Sequence, residues 1–283
     1  MEQLEGRVAV VTGAASGIGR GIARRAAKEG MRVVLADVEA TALDDVATEL
    51  AGAATEVLAV PTDVSSPDRV EALAEQVYER FGAAHLLCNN AGVFQGGIAW
   101  QRTLADWEWV MGVNFWGVLH GIRSFVPRML EGGDEGHVVN TSSLAGVVTF
   151  GYSGPYVASK FAVLGLTECL AHDLAGQGAP IGVSVLTPGL VDTGIAYSTR
   201  NRPDEPPSEV QAPDHHFVEQ ALQQMTGNEG RHPDEVGDLV IDAVREGKFF
   251  INTMDAEPML RERFDAVLAG ELPPSAAFGG YPE

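Results

Sequence analysis

The chain has 283 residues, 45% hydrophobic and 20% charged, which gives it the material for a sizeable core and sets it apart from disordered chains. Nineteen Lys and Arg against 39 Asp and Glu leave a formal net charge of −20. This argues against a nucleic-acid partner or an anionic membrane surface, both of which need clustered cations, and the acidity reads as a solubility feature.

In chain order, residues 1–6 lack the basic region and apolar run of a signal peptide. Residues 7–12 form an apolar run that reads as a buried strand. Residues 17–29 have helical spacing, with Ile18, Ile22 and Ala26 apolar and Arg24, Arg25 and Lys28 between them, and Gly30 follows as a stop. Strands are expected over 31–36, 57–60, 85–88, 137–141 and 181–186, and helices over 40–50, 67–81, 104–130 and 154–174. Ser66 is the expected N-cap of the 67–81 helix. The strand runs are continuously apolar rather than alternating, so both faces are covered, and strands alternate with helices. Together these predict an α/β fold, a Rossmann-type doubly wound parallel sheet with helices on both faces.

The texture changes after Thr193. Residues 200–213 are rich in Pro, Asp and Glu without apolar period and read as a loop, part of a lid over about 194–229. A helix over 233–246, a strand over 248–251 and a helix over 258–269 follow, and the tail 272–283 is expected to be poorly ordered. The whole of 1–283 reads as one domain. No stretch approaches the roughly 20 apolar residues of a membrane span. Cys88 and Cys169 form neither a disulfide framework nor a Cys-x-x-Cys pair, so a reducing, cytoplasmic location is expected.

Strand one runs into Thr12-Gly13-Ala-Ala-Ser16-Gly17-Ile18-Gly19, which opens a helix. Glycines let backbone N–H groups approach a pyrophosphate, and the helix start adds free donors and a partial positive charge. A glycine cluster alone is equally a tight turn, but the strand before it and the helix after it favour binding. Asp37 ends strand two about 20 residues on, where a carboxylate accepts ribose hydroxyls and repels a 2′-phosphate. Tyr156 and Lys160 stand at i and i+4 on one helix. A nearby ammonium favours the phenolate of a tyrosine, which makes the pair a device for a general base acting on an alcohol. By contrast, Tyr78, Tyr152 and Tyr197 are followed four residues on by Gly82, Tyr156 and Asn201.

The Gly-x-x-x-Gly-x-Gly turn and the Tyr-x-x-x-Lys pair resemble the short-chain dehydrogenase/reductase family over roughly residues 5–195. The resemblance implies a hydride-transferring oxidoreductase, with Gly13, Ser16, Gly17, Ile18 and Gly19 under the cofactor. It implies NAD rather than NADP, because the places where NADP-using relatives carry a basic residue hold Val38 and Ser16. It puts Asp63 and Val64 at the adenine, and Asn90, Ala91 and Gly92 at the adenosine ribose, with Asn89 structural. Pro188, Gly189, Val191 and Thr193 hold the nicotinamide carboxamide, with Tyr156 and Lys160 beside that ring, and the pro-S hydride is expected. The catalytic set is Asn114, Ser143, Tyr156 and Lys160, with Ser142 as the competing serine. In relatives the asparagine opens a helix kink and holds a water that passes protons to the lysine. Dehalogenating relatives lose the glycine loop, and enoyl reductases space Tyr and Lys more widely; neither pattern fits.

No metal is implied. His215 and His216 are adjacent and read as solvated lid histidines. Trp100, Trp107, Trp109 and Trp116 read as core or subunit contacts, with a substrate role as the alternative. Phe94, Phe150, Tyr152, Tyr197 and Phe217 fall in segments that border the substrate in relatives and suggest an apolar or aromatic secondary alcohol or ketone. The several apolar stripes of the 154–174 helix suggest a homodimer or homotetramer. The alternative to an enzyme is a dinucleotide-sensing or scaffold protein on the same fold.

Overall fold

The structure, a computed structural model, describes residues 1–52, 56–203 and 213–275. Among these, β1 (Val8–Thr12), β2 (Arg32–Asp37), β3 (Val57–Pro61), β4 (Leu86–Asn89), β5 (Gly136–Thr141), β6 (Ile181–Thr187) and β7 (Phe250–Asn252) form one sheet in the order β3-β2-β1-β4-β5-β6-β7. Every pairing in it is parallel. The helices are α1 (Gly17–Lys28), α2 (Ala40–Ala51), α3 (Pro67–Phe81), α4 (Leu104–Met111), α5 (Gly117–Gly132), α6 (Gly154–Gly176), α7 (Pro213–Glu229), α8 (Pro233–Glu246) and α9 (Glu257–Ala269). This is the Rossmann-type doubly wound α/β fold.

The two-residue period of β1 divides the core. Ala9 and Val11 face a cluster with Ile22 and Ala26 of α1, Leu43 of α2 and Val240 of α8. Val8 and Val10 face the other side, with Leu73 of α3, Phe125 of α5 and Val163 of α6. All four β1 side chains are fully buried, each burial of a valine being worth about 1.5–3 kcal/mol. Helices α1 and α8 touch backbone to backbone. A Cβ on Gly21 would lie 2.4 Å from the Pro233 carbonyl, and one on Gly237 would lie 2.3 Å from the Gly21 carbonyl.

Local chemistry sets the ends of α3. Ser66 accepts from the Arg69 N–H, Pro67 opens the helix, and Gly82 closes it in the left-handed region. The helix expected over 104–130 is two, α4 and α5, joined by a π-helical turn at Gly112–Trp116. Helix α7 occupies the later part of the expected lid, and Gly194–Asn201 is 3₁₀-helical. The tail expectation falls largely on residues 276–283, outside the described residues, as does the 204–212 part of the lid. Among the described residues, no helix is long and apolar enough to cross a membrane.

Candidate active site

Neighbouring strands β1 and β4 leave the sheet centre in opposite topological directions, which opens a crevice at their carboxyl ends. A cavity of about 970 Å³ lies there. It is lined by Gly13, Ser16, Gly17, Ile18, Asp37, Asp63, Val64, Asn90, Ala91, Gly92, Ser143, Tyr156, Lys160, Pro188, Gly189, Val191 and Thr193. Two expected site residues, Gly19 and Asn114, are not in the lining. Gly19 packs beneath the turn, where a Cβ would stand 2.1 Å from the Gly13 carbonyl, and Asn114 is fully buried behind the wall.

The glycine turn needs its glycines. Gly13 and Gly17 have φ of +67° and +51°, and a Cβ on Gly13 would stand 2.8 Å from Ala91 Cα. Ser16 caps α1 in an extended conformation without a side-chain cap bond, and the first turn of α1 holds no acid. The first N–H groups of α1 therefore lack a side-chain acceptor beside the cavity, a cradle that fits a pyrophosphate. Thr12 Oγ1 accepts from Asn90 N at 2.9 Å and Ala91 N at 3.1 Å, while Asn90 Nδ2 donates to the Thr12 carbonyl at 3.0 Å. The Asn90 side chain thus braces β1 against β4 as well as bordering the cavity. Asn89 donates to Asn140 Oδ1 at 2.8 Å inside the sheet. Asp37 Oδ2 accepts from Ala15 N and Oδ1 from Glu39 N, both at 3.0 Å, and burial pushes its carboxyl above the usual range. Asp63 Oδ1 accepts from Ser65 N at 2.9 Å and Ser65 Oγ at 2.7 Å.

At the other end, α6 presents Tyr156 and Lys160 one turn apart. Lys160 Nζ lies 5.6 Å from the Tyr156 ring centre and donates to the Thr141 carbonyl at 3.0 Å. Burial pushes the Lys160 ammonium down to about 8. Burial pushes the Tyr156 phenol up, and a hydrogen bond from Ser143 opposes that. The Phe94 ring packs edge-on to Tyr156 at 5.1 Å. Ser142 Oγ, in contrast, donates to the Lys160 carbonyl at 2.8 Å, which leaves Ser143 as the serine at the phenol. Asn114 sits in the π-helical turn. Its Oδ1 accepts from Val93 N at 2.8 Å, and its Nδ2 donates to the Val93 carbonyl and to Ser159 Oγ, both at 3.0 Å. It clamps the loop after β4 under Gly92, where a Cβ would stand 3.5 Å from both Asn114 Oδ1 and Lys160 Nζ.

The segment after β6 is held by the C-terminal part of the chain. Gly189 N donates to Thr253 Oγ1 at 2.9 Å, and Val191 forms a parallel bridge with Arg231. A Cβ on Gly17 would stand 2.9 Å from the Thr193 methyl, so this segment closes against the glycine turn.

Several lining residues went unnoticed in the sequence: Glu39, Arg200, Asn201 and Arg231, and the apolar Leu222, Met225, Met254 and Met259. Helix α7 is anchored by Asp214, which accepts from Ile98 N at 2.7 Å and pairs with Arg102 at 3.2 Å; their side chains are 3% and 2% exposed. His215 is buried beside Gln95, Nδ1 at 3.2 Å from its Nε2, which corrects the reading of solvated lid histidines for that residue. Its partner Gln95 is 120 positions away, so no local pattern announces the contact. Of the aromatic residues expected around a substrate, Phe94 and Phe150 line the cavity and are joined by Trp109, whereas Tyr152, Tyr197 and Phe217 are not in the lining. Trp100 is 85% exposed, contrary to a core position.

A family model described as short chain dehydrogenase matches residues 7–204. A short chain dehydrogenase/reductase from Burkholderia phymatum, crystallised with NAD, is 40% identical over 97% of this chain and 99% of that one, with a TM-score of 0.92. The 1-deoxy-11-beta-hydroxypentalenate dehydrogenase of Streptomyces avermitilis is 37% identical over 93% of this chain and 91% of its own length. An alcohol dehydrogenase from the archaeon Thermococcus sibiricus, complexed with 5-hydroxy-NADP, is 26% identical over 88% and 96% of the two chains, with a TM-score of 0.73.

Proposed function

The chain belongs to the short-chain dehydrogenase family of oxidoreductases, and on that premise we propose that it transfers hydride between NAD(H) and an apolar secondary alcohol or its ketone. The observation that carries this reading is the shared cavity: the uncapped start of α1 at one end, and Ser143, Tyr156 and Lys160 at the other. Bound there, a nicotinamide dinucleotide supplies the hydride acceptor or donor and, when oxidised, a positive charge. The backbone of residues 13–19 would hold its pyrophosphate, Asp37 the ribose hydroxyls, Asp63 and Val64 the adenine, Asn90 to Gly92 the ribose wall, and Pro188, Gly189, Val191 and Thr193 the carboxamide.

In the oxidative direction, Tyr156 Oη takes the proton of the alcohol hydroxyl, and Ser143 Oγ holds the same oxygen as negative charge develops on it. Burial alone makes the phenol a poor base. The Lys160 ammonium, 5.6 Å from the ring centre, and the Ser143 hydroxyl work against this by favouring the phenolate. Asn114 is a positioning residue that ties the loop at Val93 to Ser159 of α6. In reduction, Tyr156 returns the proton to the carbonyl oxygen. The cavity wall of Phe94, Phe150, Trp109, Leu222 and the three methionines supports an apolar substrate, and the 194–229 segment is its lid. A cytoplasmic dimer or tetramer packed through α6 completes the proposal. The test is a panel of apolar secondary alcohols with NAD, read by the near-ultraviolet absorbance of the reduced nicotinamide. Turnover of at least one class supports the reading; no turnover across alcohols and ketones with either NAD or NADP refutes it.

A further inference from the structure

At the β2 end of the cavity, two distant segments meet across the opening. Asp37 closes β2, and Glu39 follows it at the start of α2. The 3₁₀ segment Gly194–Asn201 brings Arg200 and Asn201 to the same place. Arg200 Nη2 and Nε donate to Glu39 Oε1 at 2.7 and 3.0 Å, and Asn201 Nδ2 donates to it at 2.9 Å. The remaining guanidinium nitrogen, Nη1, donates to the Gly194 and Tyr197 carbonyls, both at 3.0 Å. Asp37, Glu39, Arg200 and Asn201 all line the cavity.

The charges at this end have a consequence for the cofactor. A free ribose presents hydroxyls that a carboxylate accepts, whereas a 2′-phosphate is a dianion that needs a cation, best a guanidinium with parallel donors. Lys160 stands at the catalytic end and Arg231 beside Val191, so among the described lining residues the cation beside Asp37 is Arg200. Its charge is neutralised and four of its five N–H donors are taken. The Arg200 guanidinium in turn holds the Glu39 carboxyl below its ordinary range, so the pair is ionised at neutral pH. We propose that Glu39 is a second cofactor-specificity determinant: by holding Arg200, it withholds the guanidinium that would receive a 2′-phosphate and so favours NAD over NADP. Asp37 repels that phosphate directly; Glu39 acts on it by occupying the cation.

The inference rests on the dinucleotide reading of the cavity. Side-chain exposures of 39% for Arg200 and 32% for Glu39 mark a surface-type ion pair that adds little to stability, so Glu39→Gln is expected to fold. Dissociation constants for NADH and NADPH are measured by calorimetry on the full chain for wild type, Glu39→Gln, Arg200→Gln and the double variant. Glu39→Gln is expected to shift the ratio toward NADPH about tenfold, through the released guanidinium, and the double variant to lose that shift. Arg200→Gln, which frees the carboxylate, is expected to move the ratio toward NADH and serves if Glu39→Gln does not fold. An unmoved ratio overturns the proposal. So does an equal shift in Glu39→Gln and the double variant, because the lost negative charge alone then explains it. A wild-type chain that binds neither cofactor overturns the dinucleotide reading and this proposal together; tight NADH binding with an unmoved ratio overturns this proposal alone.

Discussion

Lys160→Met is expected to stabilise the protein while disabling it. Lys160 is 3% exposed, and burial pushes its ammonium from 10.5 to about 8. At about 1.4 kcal/mol per pKa unit, holding that charge costs the folded state about 3 kcal/mol at neutral pH. A methionine of similar shape removes the cost but leaves the Thr141 carbonyl without its 3.0 Å partner, a loss of about 1 kcal/mol. The net gain is about 2 kcal/mol, and for a chain of this size that raises Tm by roughly 4 °C. The gain has a pH signature. Below pH 8 the lysine is charged in both the folded and unfolded states, and the full cost applies. Between about 8 and 10.5 the unfolded chain binds more protons, so the wild type gains stability with rising pH and the gap closes. Thermal unfolding followed by circular dichroism, with no cofactor added, at pH 7 and at about pH 10, reads both effects. A variant that melts at or below the wild type at pH 7, or a gap as wide at about pH 10, refutes the reasoning.

The serines separate by assay. Ser143→Ala is expected to lower kcat about 10²-fold with unchanged folding. Ser142→Ala, which removes the bond to the Lys160 carbonyl, is expected to cost about 1 kcal/mol in a denaturant titration and to affect kcat far less. The opposite ranking in kcat would exchange their roles. His137 is buried in β5 against Ser184 Oγ at 2.7 Å, and burial pushes it from 6.5 down to about 4. The stability tied to neutral His137 is complete above 6.5 and lost as pH falls through 4, by about 3 kcal/mol. His137→Gln should flatten denaturant midpoints over that range, and an unchanged slope would place the acid sensitivity elsewhere.

The sheet was legible because a strand covered on both faces needs a continuous apolar run, and 7–12, 57–60 and 137–141 lie within a residue or two of β1, β3 and β5. Punctuation by Ser66, Pro67 and Gly82 gave α3 both its ends. Helix α7, where the sequence reading placed only a lid, carried its own signal, with Phe217, Val218, Ala221, Leu222 and Met225 at helical spacing. The lining of the candidate site was legible where its residues are set by local spacing, as for Tyr156 and Lys160 or the glycine turn. It was not legible where residues meet across the fold. Glu39 with Arg200, Asp106 with Arg202 and Arg102 with Asp214 are 161, 96 and 112 positions apart, and charge pairing at that range leaves no periodicity to read. The burial of His215 follows from one of these pairs, since Asp214 draws the start of α7 onto the loop after β4.

The central claim is that the Tyr156 hydroxyl moves the substrate proton. Tyr156→Phe keeps the ring against Phe94 and removes only that hydroxyl. With the best alcohol from the panel, turnover should fall by about 10²–10⁴-fold while the calorimetric affinity for NADH stays within about threefold of wild type. Turnover within about tenfold of wild type would contradict the account.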